Sequence, residues 1–141
     1  MRPVDQMFQR YGEFHRNATN KAIHLVCVPL IVWSLLGLLW TASPIATAVA
    51  SGVSLVFYFW LSRPLGFGMA AVIVLMICSM GLLDGRLLAL SATTFVLAWI
   101  GQFIGHKFEG RKPAFVDDVR SLLIGPAWIL AFVYRRLGIA Y

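Results

Sequence analysis

Only six of the 141 residues are acidic and only two are cysteine. Charged residues of both signs make up 13% of the chain, against roughly 25% in a typical soluble domain. That scarcity argues against an ordinary soluble enzyme. With 60% hydrophobic residues, a disordered chain is excluded as well. The cysteines, Cys27 and Cys78, lie inside apolar runs and form neither a CxxC pair nor a disulfide framework, so packing or lipid-facing roles are expected. Internal repeats, low-complexity segments and a convincing Ser-His-Asp arrangement are also lacking.

What the sequence has is long apolar runs, with a mean hydropathy of +0.79. Crossing roughly 30 Å of hydrocarbon takes about 20 apolar residues in a helix. Four stretches qualify, at about 23–41, 45–61, 65–83 and 87–104. Ser43-Pro44, Arg63-Pro64 and Asp84-Gly85-Arg86 separate them with turn residues and charges. Links this short predict four antiparallel neighbours in an up-down bundle. A fifth run, 122–134, carries Gly125-Pro126 and would reach only about 20 Å as a helix. The expected fold is therefore an all-α integral membrane protein of one domain, 1–141. It has four transmembrane helices plus a short re-entrant or interfacial C-terminal helix. The polar opening segment argues for a retained first span rather than a cleaved signal peptide.

Twelve basic residues give a net charge of +6 and a pI near 9.9, but they flank the apolar runs rather than forming a nucleic-acid-binding face. With residues 1–22 in the cytoplasm and the fifth run not crossing, eleven of the twelve lie inside, leaving Arg86 outside. The expected location is a cell inner membrane in a bacterium or the endoplasmic reticulum in a eukaryote. This orientation brings residues 1–22 and 106–120 to one face.

All three histidines fall at that face. His15 and His24 flank the start of the first span and His106 ends the fourth. On one straight helix His15 and His24 would sit half a turn out of phase and about 13 Å apart, so sharing a ligand requires a break between them. Asn17, Thr19 and Asn20 are suitable cap residues for such a break. His106 and Glu109, at i and i+3, can meet on one helical face. Three imidazoles with a carboxylate suit a divalent transition metal, such as Zn, Fe, Cu or Ni. Spacing alone does not choose among them, and each histidine can equally be an interfacial residue with a hydrogen bond. Asp117-Asp118 reads as a carboxylate pair or as the cap of the fifth run. Gly66, Gly68 and Gly81 are expected to permit close helix packing. Trp33, Trp40, Phe57, Tyr58, Phe59 and Trp60 are expected in lipid-facing or belt positions.

Two ordered motifs extend this pattern. The first is Tyr11, His15-Arg16-Asn17, Asn20-Lys21, His24 and Val28-Pro29. The second is Trp99-Ile100-Gly101-Gln102-Phe103-Ile104-Gly105-His106, Phe108-Glu109-Gly110-Arg111-Lys112-Pro113-Ala114 and Asp117, continued by Ser121 to Pro126. Together they resemble the 2-hydroxy fatty acid dioxygenase family of phytosphingosine breakdown. The resemblance implies an Fe(II)-dependent, O2-using α-oxidation of a 2-hydroxy fatty acid to an aldehyde one carbon shorter. It implies His15, His24 and His106 as iron ligands, with Glu109 as a ligand or their acceptor. Arg16, Asn17, Asn20, Lys21, Gln102, Arg111 and Asp117 are implied around the metal or the substrate carboxylate. Where the family often carries an acidic residue late in the final run, this chain has Ala131-Phe132-Val133. Two other readings remain: a haem-binding electron carrier using His24 and His106 as axial ligands, and a non-catalytic scaffold docking a partner at its polar end.

Overall fold

The first long helix begins where the sequence offers a cap. In the computed structural model, which describes residues 1–141, the Asn17 side chain accepts the N–H groups of Thr19 and Asn20 at 2.9 and 3.2 Å. It thereby satisfies donors that a helix start leaves free. The chain is entirely helical: α1 (Pro3–Gly12), α2 (Ala18–Ala42), α3 (Pro44–Leu61), α4 (Arg63–Met80), α5 (Leu87–Glu109), a 3-10 turn (Ala114–Val116) and α6 (Ser121–Leu137). Single extended residues, Ser43 and Ser62, reverse the chain between α2, α3 and α4, and a proline stands at the start of the next helix each time. There its missing N–H costs nothing.

Four helices, α2 to α5, are long and apolar enough to cross a membrane, at 25, 18, 18 and 23 residues. Their outward faces expose large apolar side chains, including Val26, Val53, Val56, Phe67, Val74, Leu75 and Leu97. Surface of this kind suits lipid rather than water.

The ends differ from the sequence expectations. Helix α2 starts five residues early because Asn17 caps it, and α4 stops at Met80, short of 83. Helix α5 runs through Gly105 to Glu109 and ends only where Gly110 takes φ +72°, a left-handed conformation suited to glycine. Helix α6 covers 17 residues, with Pro126 inside it, and so outruns the 122–134 segment at both ends. Asp117 and Asp118 do not cap it. Asp118 instead accepts the N–H of Arg120 at 3.0 Å and pairs with the Arg120 guanidinium, which holds its carboxyl below the usual range.

The bundle order also departs from a simple up-down series. Helix α5 packs along α2 rather than against α4, while α3 pairs with α4. The α2–α5 contact is antiparallel: Gly105 faces Asn20 and Ile23, Gly101 faces Cys27, and Gly37 faces Ser91. Small residues set this approach, the usual device where lipid offers no hydrophobic drive between helices. Cys27 is thus a packing residue and Cys78 is exposed. Gly68 lies against Tyr134 and Leu130 of α6, as close packing predicts, whereas Gly81 meets only a backbone oxygen of its own turn. Tyr58 is not lipid-facing: it is 2% exposed and donates its hydroxyl to the Leu123 carbonyl at 2.8 Å.

At one end of the bundle lies the main apolar core. Val4, Phe8, Tyr11 and Phe14 of the opening segment pack with Leu61, Leu65 and Met69 from the α3–α4 turn and with Ile124, Ala127 and Ala131 of α6. This layer brings the opening segment, the end of α5 and α6 together.

Candidate active site

His15 sits on the linker between α1 and α2, where the N–H groups of Phe14 and His15 return to the carbonyls of Tyr11 and Gly12 at 3.1 Å. Its own Nδ1 lies 3.0 Å from the Tyr11 carbonyl oxygen. That carbonyl can only accept, so Nδ1 carries the proton and Nε2 is the bare nitrogen. His24 is one to two turns into α2, and His106 is in the last turn of α5.

The helix break that Asn17 supplies folds the two segments onto each other. The His15 ring centroid is 4.3 Å from that of His24 and 5.0 Å from that of His106. The three residues are 1%, 0% and 3% exposed. Burial pushes the His15 imidazole down to about 4, so it is neutral at physiological pH.

Two aromatic residues wall the cluster. Tyr11 stacks on His15, centroids 4.5 Å apart and planes within 19°, and its hydroxyl lies 3.3 Å from His24 Nε2. Burial raises the Tyr11 phenol well above its ordinary value, so it remains protonated. Trp128 of α6 contacts Tyr11, His15 and His24, with centroids 5.4 to 5.6 Å away. Gly125 makes that approach feasible: a Cβ there would stand 2.8 Å from the Tyr11 hydroxyl.

The polar residues around the rings divide into three groups. Gln102 is buried beside His24, its Nε2 3.4 Å from His24 Nδ1. Glu109 does not point at the imidazoles. Its carboxylate accepts the N–H groups of Arg16 and Asn17 at 2.8 and 2.7 Å and the Asn20 amide at 3.1 Å, clamping the linker to α5. Asn20 also donates to the Phe14 carbonyl at 3.1 Å. These contacts fix where His15 stands.

The third group stays outside. The Arg16 side chain is exposed and only its backbone is used. Lys21 is exposed on the first turn of α2, near enough for its charge to disfavour a protonated His15. Arg111 lies over the Phe14 ring, 4.1 Å from its centroid. Asp117 is exposed in a separate cleft of about 270 Å³ with Gln6, Arg10 and Arg120, and shares only Tyr11 with the cluster. Phe132 lies beneath the Arg136 guanidinium, which stands 5.2 Å from its ring centroid.

Among buried polar atoms, His15 Nε2 and both nitrogens of His106 have no hydrogen-bond partner. Unpaired buried groups of this kind require an explanation. Neutral imidazole nitrogens are good ligands for first-row divalent metals, so the donor chemistry fits such an ion. As the rings stand, however, no three His, Cys, Asp or Glu side chains are arranged around a common point. A haem is a poorer match. The His15 ring packs against both His24 and His106, leaving no slot between them for a flat macrocycle, and the adjoining space is only about 50 Å³.

One-sided polarity grouped the three histidines and the linker asparagines were expected as caps, while Gln102 entered through the family resemblance; spacing did not find every member of the cluster. It missed Tyr11 as a wall of the cluster, although Tyr11 and His15 stand at i and i+4, a spacing that stacks rings. It gave no hint of Trp128, whose proximity comes from how α6 docks.

The model of the Mpo1-like family, described as 2-hydroxy-palmitic acid dioxygenase Mpo1-like, matches residues 1–137. Over 137 residues the chain is 34% identical to the 2-hydroxy-palmitic acid dioxygenase MPO1 of Saccharomyces cerevisiae, covering 91% of this chain and 78% of that protein. No solved structure matches.

Proposed function

Since this chain belongs to the Mpo1-like family, we propose that it is a membrane-embedded, Fe(II)-dependent dioxygenase of 2-hydroxy fatty acids. The observation that carries this reading is the cluster of three buried imidazoles with three nitrogens left unpaired. The relative's substrate class supports the choice of acid. The orientation with residues 1–22 and the site on the cytoplasmic face rests on the distribution of basic residues.

His15, His24 and His106 would hold the iron, which would supply the redox chemistry that O2 activation requires. Gln102 orients the His24 ring, and Tyr11 with Trp128 fixes the His15 ring and keeps water out. Glu109 positions the linker rather than reacting. Lys21, exposed on the first turn of α2, would offer a cation for the substrate carboxylate. A two-electron course releases the carboxyl carbon as CO2, leaves the 2-hydroxyl carbon as the aldehyde and turns O2 into hydrogen peroxide, so it puts no oxygen atom into the organic product. A four-electron course would instead give the shortened carboxylic acid and water, and product analysis separates the two.

The first test is the metal content of anaerobically purified protein and of its His106→Ala variant, followed by O2 consumption with a 2-hydroxy fatty acid. Near-stoichiometric iron without a Soret band, lost in the variant and matched by acid-dependent O2 uptake, is the expected result. Absence of bound metal after Fe(II) is supplied would overturn it.

A further inference from the structure

A second space lies beyond the small one beside the histidine cluster. It has a volume of about 610 Å³, within the range of roughly 300–1,000 Å³ common for ligand cavities. Its back wall is α2, at Leu35, Leu36 and Leu39. One side is α5, at Phe95 and Trp99, and the other is α3. The room exists because α3 presents Ala50, Ser51 and Ser54 where larger residues would fill the gap. Ser54 returns its hydroxyl to the Ala50 carbonyl at 2.8 Å, so it turns little polarity toward the space.

The space shares part of its wall with the small cleft beside the imidazoles. That cleft, of about 50 Å³, reaches Tyr11, Gln102 and His106, and it shares Ile31, Val32, Trp99, Leu122 and Pro126 with the larger space. At the other extreme, Leu39 lies eight residues beyond Ile31, about 12 Å along α2. Because α3 and α5 do not pack together, the gap between them opens sideways. Half-exposed Leu35 and Leu122 belong to this wall. The wall's single cation, Arg120, is already paired with Asp118 at 3.0 Å. It therefore offers little to a carboxylate and much to a hydrocarbon.

We infer that this space is the binding site for the alkyl tail of the 2-hydroxy acid, and that its depth along α3 sets the chain length accepted. The inference rests on the proposed dioxygenase reading for the identity of the head group. The acid enters from the bilayer between α3 and α5, its tail lies against Leu35, Leu36 and Leu39, and its head passes Trp99 to the histidines.

The test uses the full-length protein in lipid nanodiscs, with Ala50→Phe and Ser54→Phe as two plugs at different depths. The positions are four residues apart, so the plugs stand about 6 Å apart along the helix, Ser54 nearer the site. For a series of straight-chain 2-hydroxy acids, kcat/KM for long relative to short chains is expected to fall by about tenfold or more. Ser54→Phe should move the cut-off to shorter acids than Ala50→Phe does. Retained helicity and a monodisperse elution profile verify folding. Wild-type turnover with parallel profiles in both variants would overturn the tail site while leaving the dioxygenase reading intact.

A second measurement does not depend on turnover. A 2-hydroxy acid carrying a mid-chain nitroxide is expected to quench Trp99 emission saturably, read as the difference from Trp99→Phe, and unlabelled acid should compete. If wild type turns over no acid, this binding still supports the tail site and the dioxygenase reading alone fails. Quenching that rises linearly with label, as for simple partition into the bilayer, would overturn the inference.

Discussion

Glu109 accepts the backbone N–H of Asn17 at 2.7 Å, although 92 residues separate them in sequence. The end of α5 therefore holds the start of α2, and His15 is placed by a carboxylate it does not touch. Glu109→Ala leaves the Arg16 and Asn17 N–H groups and the Asn20 amide without this acceptor. A loss of about 1–3 kcal/mol in stability is expected, with a fall in metal content. Glu109→Gln keeps one oxygen and should recover part of both. Thermal unfolding and elemental analysis in detergent measure the difference. Equal metal content in all three proteins would rule out a positioning role.

Gly125 is predicted to be intolerant for a reason that a second substitution can isolate. A Cβ there meets the Tyr11 hydroxyl at 2.8 Å but the ring carbon behind it at an ordinary 3.4 Å. Gly125→Ala should destabilise the protein by about 1–3 kcal/mol, the usual cost of overpacking. Combining it with Tyr11→Phe removes the clashing atom, so the double variant should be more stable than additivity predicts. Strict additivity in a double-mutant cycle would refute the contact.

Acid should weaken the metal-free protein through His15. In the unfolded chain this imidazole takes a proton near 6.5, while in the folded chain burial delays uptake to about 4. Between those values the unfolded state binds more protons, so stability falls as pH drops from 6.5 toward 4 and is unaffected by this group above 6.5. Melting temperature against pH, for wild type and His15→Asn, tests the sign. The variant should lose that part of the slope, and an unchanged slope would place the proton uptake elsewhere.

The bundle was legible because lipid imposes a crude requirement on sequence: long apolar runs with polar punctuation. The Asn17 cap was legible for a similar reason, since a cap depends on its own neighbours. Pairing of helices was not, because α4 and α5 are equally apolar and only small residues such as Gly101 and Gly105 facing α2 decide the partner. The histidines could be grouped from one-sided polarity, but Glu109 read as a ligand or as an imidazole's acceptor, because its backbone partners on the linker carry no sequence signature. Lys21, Arg111 and Asp117 share the motif segments, yet the fold leaves them at the surface. Trp128 reaches the cluster through the way α6 meets α1 and α2, and the larger space arises from the way α3 and α5 flank α2, neither of which a local pattern encodes.

The clamp between the linker and the end of α5 also bears on the order in which the protein is made. His15 and His24 enter the membrane interface with the first span, long before the ribosome has produced His106, Glu109 or Trp128. Until then two of the three imidazoles have Tyr11 beside them but lack His106 and the Trp128 wall. Biogenesis thus separates insertion from maturation: the spans can be laid down one after another, but the cluster closes only when the last third of the chain returns to the first. A nascent chain halted after α4 is a membrane protein without a site.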